Sequence, residues 1–104
     1  MTPKHRVLVV DDEQAMRDFL TASMAGKYQV TAAADGAEAI GLLRKQSYDL
    51  VLSDVRMPGC DGLALLAFIR NELETPPLVI MMTAFGTIKE AVEATKHGAL
   101  DYLT

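Results

Sequence analysis

The chain has 104 residues, which suits a single domain, and half of them are hydrophobic while 23% are charged, as in ordinary globular proteins. A net charge of −4 without a basic cluster argues against direct contact with nucleic acid, and the single cysteine, Cys60, excludes an internal disulfide. The longest apolar run has seven residues, whereas a membrane helix needs roughly 20, so we expect a cytoplasmic protein without a membrane span.

The predicted strands are short and apolar. Three runs contain hydrophobic residues without alternation, as expected where a sheet is covered on both faces, and two further segments are weaker strand candidates. In chain order the five predicted strands cover residues 7–10, 29–33, 50–52, 78–82 and 101–103, of which the second and the fifth are the weaker ones.

Four helices are predicted between the strands, because apolar residues recur there at helical spacing. The first helix, residues 13–25, carries a stripe made of Met16, Phe19, Leu20, Ser23 and Met24. The other three stripes cover residues 39–43, 66–73 and 88–95. Strict alternation of strands and helices implies a parallel sheet with right-handed crossover connections, which is the α/β class.

Residues that can carry chemistry follow three of the predicted strands. The first strand runs into Asp11-Asp12-Glu13, the third ends at Asp54, and the fourth is followed by Thr83. Ligand sites of open parallel sheets lie beyond the carboxyl ends of the strands, so these residues would share one crevice if the strand order is 2-1-3-4-5. Sequence spacing does not determine that order.

Each of these acids also has a purely structural explanation when it is taken alone. Asp11 and Asp12 can cap a helix, and Asp54 can close a turn. The combination favours a functional site, because carboxylates about 4 Å apart repel each other by roughly 4 kcal/mol at an effective dielectric constant near 20 and therefore need a cation. Ligands that offer only oxygen suit Mg²⁺, and an aspartate can accept a phosphoryl group covalently.

The same segments resemble the receiver domains of bacterial two-component response regulators. Residues 5–13 are similar to the opening strand and acid cluster of those domains, and residues 50–62 to the phosphoacceptor strand with its Met-Pro-Gly turn. Residues 82–84 resemble the end of their fourth strand, and residues 98–103 the approach to their fifth. The resemblance covers the whole chain and implies a flavodoxin-like (CheY-like) doubly wound sheet of five parallel strands in the order 2-1-3-4-5.

The resemblance implies a phosphoacceptor and a metal site. Asp54 is expected to be the residue that takes the phosphoryl group. Asp12 and Asp54 are expected to ligate Mg²⁺ through their side chains, and Asp11 to help through a water molecule. The backbone carbonyl of Arg56 is the other expected ligand.

The resemblance also implies how the phosphoryl group arrives and what it changes. The expected donor is a sensor histidine kinase. Thr83 is expected to donate its hydroxyl to the phosphoryl group, and Tyr102 to be the aromatic switch that rotates inward when Thr83 moves. Residues 84–87, 91–92 and 98–103 look most like receivers of NtrC-type enhancer-binding activators, which implies an output region beyond residue 104 with an ATPase domain and a DNA-binding domain.

The last residues differ from the family pattern. In the family a lysine follows the switch aromatic by three positions, which here falls one residue past Thr104, and a fifth helix follows that lysine. We therefore expect residues 1–104 to be a receiver domain truncated before its fifth helix. Loss of the cover that this helix gives the sheet predicts lower stability than in a longer chain and a tendency to form homodimers.

Three alternative functions were weighed against the receiver. As a signalling phosphoacceptor the chain is not expected to be an enzyme. A Mg²⁺-dependent phosphatase with an aspartate nucleophile is disfavoured because it usually has Asp-x-Asp after its first strand, whereas these acids are adjacent. An FMN-binding flavodoxin would need a Ser/Thr/Gly-rich phosphate loop after that strand, and the sequence has none. A receiver-like interaction module that is not phosphorylated stays open, because the family's lysine is missing from the chain.

Overall fold

The structure, a computed structural model, describes residues 4–54 and 62–82, together with the backbone of residues 101–103. The described residues form five strands and three helices, and strands and helices alternate as predicted from the first strand to the fourth. In chain order they are β1 Arg6–Val10, α1 Gln14–Met24, β2 Gln29–Ala33, α2 Gly36–Lys45, β3 Leu50–Asp54, α3 Gly62–Glu72, β4 Leu78–Met82 and β5 Asp101–Leu103. The predicted helix at residues 88–95 lies outside the described residues. Within the described part of the chain, no helix is long and apolar enough to cross a membrane.

All five strands are parallel and lie in one sheet with the order β2-β1-β3-β4-β5. The order that the resemblance implied is therefore confirmed. Val10 at the end of β1 pairs with Ala33 of β2 on one side and with Ser53 of β3 on the other. Asp54, the last residue of β3, pairs with Met82, the last residue of β4. The carboxyl ends of β1, β3 and β4 thus lie side by side at one edge of the sheet, which we name the carboxyl edge.

Alternate residues of each strand enter two separate apolar layers, because successive side chains of a strand point to opposite faces. One layer lies between the sheet and the helices α2 and α3. Its buried members include Leu8, Val10, Val51 and Met81 from the strands and Leu43, Leu65, Leu66 and Ile69 from the helices. Burying a side chain of this size contributes about 1.5–3 kcal/mol. Helical cover on both faces is the reason that the strands read as continuous apolar runs.

The second layer lies on the α1 side of the sheet. Val7, Val9 and Leu52 are buried there, and Leu20 and Met24 of α1 pack against them. Leu20 and Met24 are four residues apart, which places them on the same side of a helix with 3.6 residues per turn. Leu20 and Met24 therefore define the side of α1 that faces the sheet.

The stripe predicted for α1 is only partly correct. Phe19 is 65% exposed and Met16 is 42% exposed. Phe19 precedes Leu20 by one residue and so points about 100° away from it around the helix axis. Helical periodicity alone did not distinguish the side that faces the sheet from the side that faces solvent.

The start of α2 is capped by a side chain. Asp35 has an extended backbone, and its side chain accepts a hydrogen bond from the backbone N–H of Glu38 at 2.8 Å. This bond satisfies one of the free N–H groups of the first turn, which typically contributes about 1 kcal/mol. Arg44 and Lys45 lie in the last turn, where cations complement the negative end of the helix dipole.

Candidate functional site

The carboxyl edge brings three aspartates together. Asp11 follows β1 directly, Asp12 follows Asp11, and Asp54 ends the neighbouring strand β3. One carboxylate oxygen from each of the three lies within 4.8 Å of the others. The prediction that these acids share one crevice is confirmed for Asp11, Asp12 and Asp54.

The three acids differ in their access to solvent. Asp11 is buried, with 5% of its surface exposed, Asp54 is partly buried, and Asp12 is exposed. A ligand that arrives from solvent therefore meets Asp12 first and reaches Asp11 last. Charged groups are rarely buried without partners, so the surroundings of Asp11 decide whether it stays ionised.

Asp11 is held by hydrogen bonds on three of its polar groups. Its backbone N–H donates to the carbonyl of Ala33 at 3.1 Å. Its side-chain Oδ1 accepts from the backbone N–H of Glu13 at 2.9 Å. Its backbone carbonyl accepts from Nη1 of Arg17 at 2.8 Å. The turn from β1 into α1 is thereby fixed to β2 on one side and to α1 on the other.

The electrostatic balance at Asp11 is unfavourable to the ionised form. Burial is the largest cause and raises the pKa of Asp11, and the neighbouring Asp12 carboxylate raises it further. The Glu13 N–H and the Arg17 guanidinium act in the opposite direction, but the net pKa of Asp11 is above its usual value. A cation placed among the three acids would offset both the burial and the repulsion.

The three oxygens fit a magnesium ion by chemistry and by spacing. The donors are carboxylates only, which suits a hard cation such as Mg²⁺ that keeps several waters. At Mg–O distances of about 2.0–2.1 Å, two ligand oxygens are roughly 3 Å apart when adjacent and roughly 4 Å apart when opposite. A spread of up to 4.8 Å leaves room for one of the three acids to act through a water molecule, as expected for Asp11.

Two residues near the site were missed in the sequence. Ser53 is fully buried, and its Oγ donates to the backbone carbonyl of Asp54 at 3.0 Å. Its signal was a hydroxyl at the end of the apolar run Leu50-Val51-Leu52. Arg17 was visible as a cation near the start of a helix, where the dipole disfavours positive charge unless another partner compensates.

The other predicted site residues are not described in the same detail. Thr83 and Arg56 lie outside the described residues, so their assigned roles stay predictions. Tyr102 lies in β5, where its backbone pairs with Met81 of β4, and its side chain is not described. Thr83 follows Met82, the β4 residue that pairs with Asp54.

Comparison with known proteins identifies related domains. Residues 7–104 match the family model of the response regulator receiver domain. The chain is 40% identical over 99 residues to response regulator protein FleR of Pseudomonas aeruginosa, and the aligned region covers 94% of this chain and 21% of that protein. It is 45% identical over 98 residues to transcriptional regulatory protein ZraR of Escherichia coli, covering 93% of this chain and 22% of that protein. For the DNA-binding transcriptional regulator NtrC of Escherichia coli the identity is 44% over 98 residues, covering 93% and 21%.

Solved structures agree in fold. The Francisella response regulator 1452 receiver domain superposes with a TM-score of 0.88 at 32% identity, covering 97% of this chain and 84% of that one. NtrX of Brucella abortus superposes with a TM-score of 0.86 at 31% identity, covering 95% of this chain and 22% of that one. The chain spans about a fifth to a third of the length of the curated relatives FleR and PfeR.

Proposed function

The chain belongs to the receiver-domain family of two-component response regulators, and from that premise we propose that Asp54 accepts a phosphoryl group from a sensor histidine kinase in a Mg²⁺-dependent reaction. One observation carries the proposal: carboxylate oxygens of Asp11, Asp12 and Asp54 lie within 4.8 Å of one another at the carboxyl edge. An isolated aspartate at a strand end would be explained by turn formation, whereas three crowded carboxylates need a counter-ion.

The proposed role of each acid in metal binding follows from its exposure. Asp12 is exposed and is proposed to contact Mg²⁺ directly together with Asp54. Asp11 is buried, and its Oδ1 already accepts the Glu13 N–H, so its proposed contact is through a water molecule. The backbone carbonyl of Arg56 is the fourth proposed ligand. When bound, the metal neutralises the phosphoryl oxygens and orients the donor.

Asp54 is proposed as the nucleophile because it combines access with a fixed position. It is partly buried at the end of β3, and Ser53 donates to its backbone carbonyl. In the proposed step a carboxylate oxygen of Asp54 forms a bond to phosphorus while the bond from phosphorus to the donor's histidine nitrogen breaks. The hydroxyl of Thr83 is proposed to contact the transferred group, and Tyr102 to respond to the movement of Thr83.

The wider role proposed for the chain is signalling rather than metabolic catalysis. As a phosphoacceptor it would carry out phosphotransfer onto itself and loss of that phosphoryl group, in the cytoplasm, and would not turn over a separate substrate. The relatives ZraR and NtrC are transcriptional regulators, which supports a transcriptional output. We propose that the output region contains an ATPase domain and a DNA-binding domain.

Phosphorylation with a small-molecule donor tests the proposal. Incubation of the full-length protein that contains this receiver domain with acetyl phosphate and Mg²⁺ is expected to add one phosphoryl group by mass, and Asp54→Asn is expected to remove that gain. Asp49→Asn is the matched control, because Asp49 is an exposed aspartate at the beginning of β3 rather than at its end. It should gain mass as the parent does.

Two results would contradict the assignment in different ways. Stoichiometric phosphorylation of the Asp54→Asn variant at Asp11 or Asp12 would move the acceptor to another residue. Absence of any mass gain in the parent chain, with Mg²⁺ binding intact, would favour the interaction module that is not phosphorylated.

A further inference from the structure

We propose that Arg17 is a positioning residue for the metal site: its guanidinium holds the backbone of Asp11 and thereby fixes Asp11 and Asp12 for Mg²⁺. The inference rests on the proposed Mg²⁺ site and adds a residue that does not itself touch the metal. Its basis is the 2.8 Å hydrogen bond from Nη1 of Arg17 to the backbone carbonyl of Asp11.

The contact joins the site to the first helix across six positions of sequence. Arg17 is the fourth residue of α1 and is partly buried, while Asp11 is buried. The planar guanidinium is pre-organised, so it loses less conformational freedom per hydrogen bond than a more flexible donor does. A hydrogen bond with one charged partner is also stronger than one between neutral groups.

Electrostatic effects on Arg17 act in both directions: its charge attracts the Asp11 carboxylate, but two other features of its surroundings disfavour a cation. Arg17 lies near the positive end of the α1 dipole, where a cation is disfavoured. It also lies beside a cluster that is proposed to bind a divalent cation, which its charge repels. The attraction to Asp11 and the hydrogen bond to its carbonyl together compensate for both effects, and the hydrogen bond also fixes the position of the Asp11 backbone.

Arg17 holds one of the three hydrogen bonds that fix Asp11. The backbone N–H of Asp11 is tied to Ala33, and its Oδ1 to the N–H of Glu13. Without Arg17, the Asp11 carbonyl loses its tie to α1, and the two carboxylates can separate under their mutual repulsion. Loss of a residue that orients metal ligands typically weakens metal binding by about 10–100-fold.

The sign of the effect distinguishes positioning from a charge effect. If Arg17 acted only through its field, Arg17→Met would remove a repelling charge and tighten Mg²⁺ binding. If Arg17 acts through the Asp11 carbonyl, the same variant weakens binding. Lys27→Met is the matched control, because it removes one positive charge from an exposed residue in the turn after α1.

Calorimetric titration of the chain with Mg²⁺ at pH 8 provides the measurement. We expect Arg17→Met to weaken Mg²⁺ binding by about tenfold and Lys27→Met to leave it within about twofold, in line with a screened, distant charge. Arg17→Lys is expected to recover part of the loss, since its ammonium group can donate to the same carbonyl. Equal or tighter binding by Arg17→Met than by the parent would overturn the inference.

A second measurement keeps the test decisive when stability changes. Hydrogen exchange of the Glu13 amide, which donates to Asp11, is expected to accelerate in metal-free Arg17→Met and to accelerate less in Arg17→Lys, with exchange in the centre of β3 unchanged. Unchanged exchange at Glu13 would contradict the inference even if binding weakened. A parent chain that binds no Mg²⁺ would refute the proposed metal site itself, and the role of Arg17 with it.

Discussion

The two ends of the sheet place aspartates in opposite circumstances. At the beginning of β3, Asp49 is exposed, and its Oδ2 accepts the backbone N–H of Arg6 at 2.8 Å and lies 3.4 Å from Nδ1 of His5. At the carboxyl edge, Asp11 and Asp12 stand beside each other, and the pKa of Asp11 is raised by burial and by its neighbour. Asp49 accepts a backbone hydrogen bond and lies beside an imidazole, whereas burial and the Asp12 carboxylate disfavour the charge of Asp11.

This contrast separates an acid that supports the fold from acids for which we propose a role in chemistry. Partners that match a charge stabilise the folded chain, while crowded like charges lower stability and persist where function requires them. The same residue type therefore has opposite effects at the two ends of one sheet. The following predictions test that difference, beginning with the largest expected effect.

Removal of the proposed metal ligands should affect Mg²⁺ binding at only one end of the sheet. Asp12→Ala is expected to weaken Mg²⁺ binding by more than about tenfold, since a direct carboxylate ligand is lost. Asp11→Ala should weaken it less, and Asp49→Ala should leave it unchanged. Calorimetric titration compares the three variants. Equal losses for Asp12→Ala and Asp11→Ala would contradict direct ligation by Asp12, because a pure charge effect would make the two changes similar.

Neutralising the buried acid should stabilise the metal-free chain. Asp11→Asn keeps an oxygen that can accept the Glu13 N–H but removes the repulsion from Asp12. We expect the free energy of unfolding to rise by about 1–2 kcal/mol at pH 7. This is less than the full repulsion between two close carboxylates, because water screens part of it. Urea unfolding without metal measures it.

The pH dependence of that gain has a defined sign. Because the pKa of Asp11 is raised in the folded state, the folded parent takes up a proton before the unfolded chain does as the pH falls. The repulsion then disappears, and the advantage of Asp11→Asn should shrink below the raised pKa. Excess Mg²⁺ should reverse the order at pH 7, because the ligand stabilises the parent more than the variant. An advantage that is independent of pH would disprove the electrostatic explanation.

The acid at the other end should behave in the opposite way. Asp49→Ala removes the acceptor for the Arg6 N–H, so the free energy of unfolding is expected to fall by about 1 kcal/mol. Because Asp49 does not belong to the acid cluster, its loss should be the same with and without Mg²⁺. Thermal unfolding in both conditions checks this, and a stabilising effect would remove the contrast between the two ends.

The smallest expected effect concerns the hydroxyl of Ser53, the residue before Asp54. Ser53→Ala deletes the donor to the Asp54 carbonyl and is expected to lower stability by about 0.5–1 kcal/mol. Ser47→Ala is the control, because Ser47 is exposed in the connection between α2 and β3. Denaturant unfolding of the pair measures the difference. Equal stability of the two variants would mean that the Ser53 bond adds nothing.

Most of the strands and helices could be predicted, because they depend on patterns of apolar residues that are visible in a single sequence. The apolar runs at β1, β3 and β4 are continuous since both faces of these strands are covered. The strand order came from the family resemblance, since spacing along the chain leaves it open. Proximity of the three aspartates followed from the order together with the strand ends.

The missed contacts share a physical cause. Arg17 and Ser53 both donate to backbone carbonyls. Because every residue carries such an acceptor, the sequence does not indicate which carbonyl will accept the hydrogen bond. The stripe of α1 was partly wrong for another reason: Phe19 satisfies the helical period but lies on the solvent side. Periodicity identifies a helix, whereas its orientation depends on the sheet against which it packs.

The position of β3 has a mechanical consequence. It is the middle strand of five and is hydrogen-bonded to β1 on one side and to β4 on the other. Central strands of this kind open only with the whole domain, whereas peripheral segments open at lower free energy. A group attached to Asp54 would thus be held at the end of a strand that is paired on both sides. Motion that follows attachment of the group would have to occur in the surrounding segments, while β3 itself would stay in place.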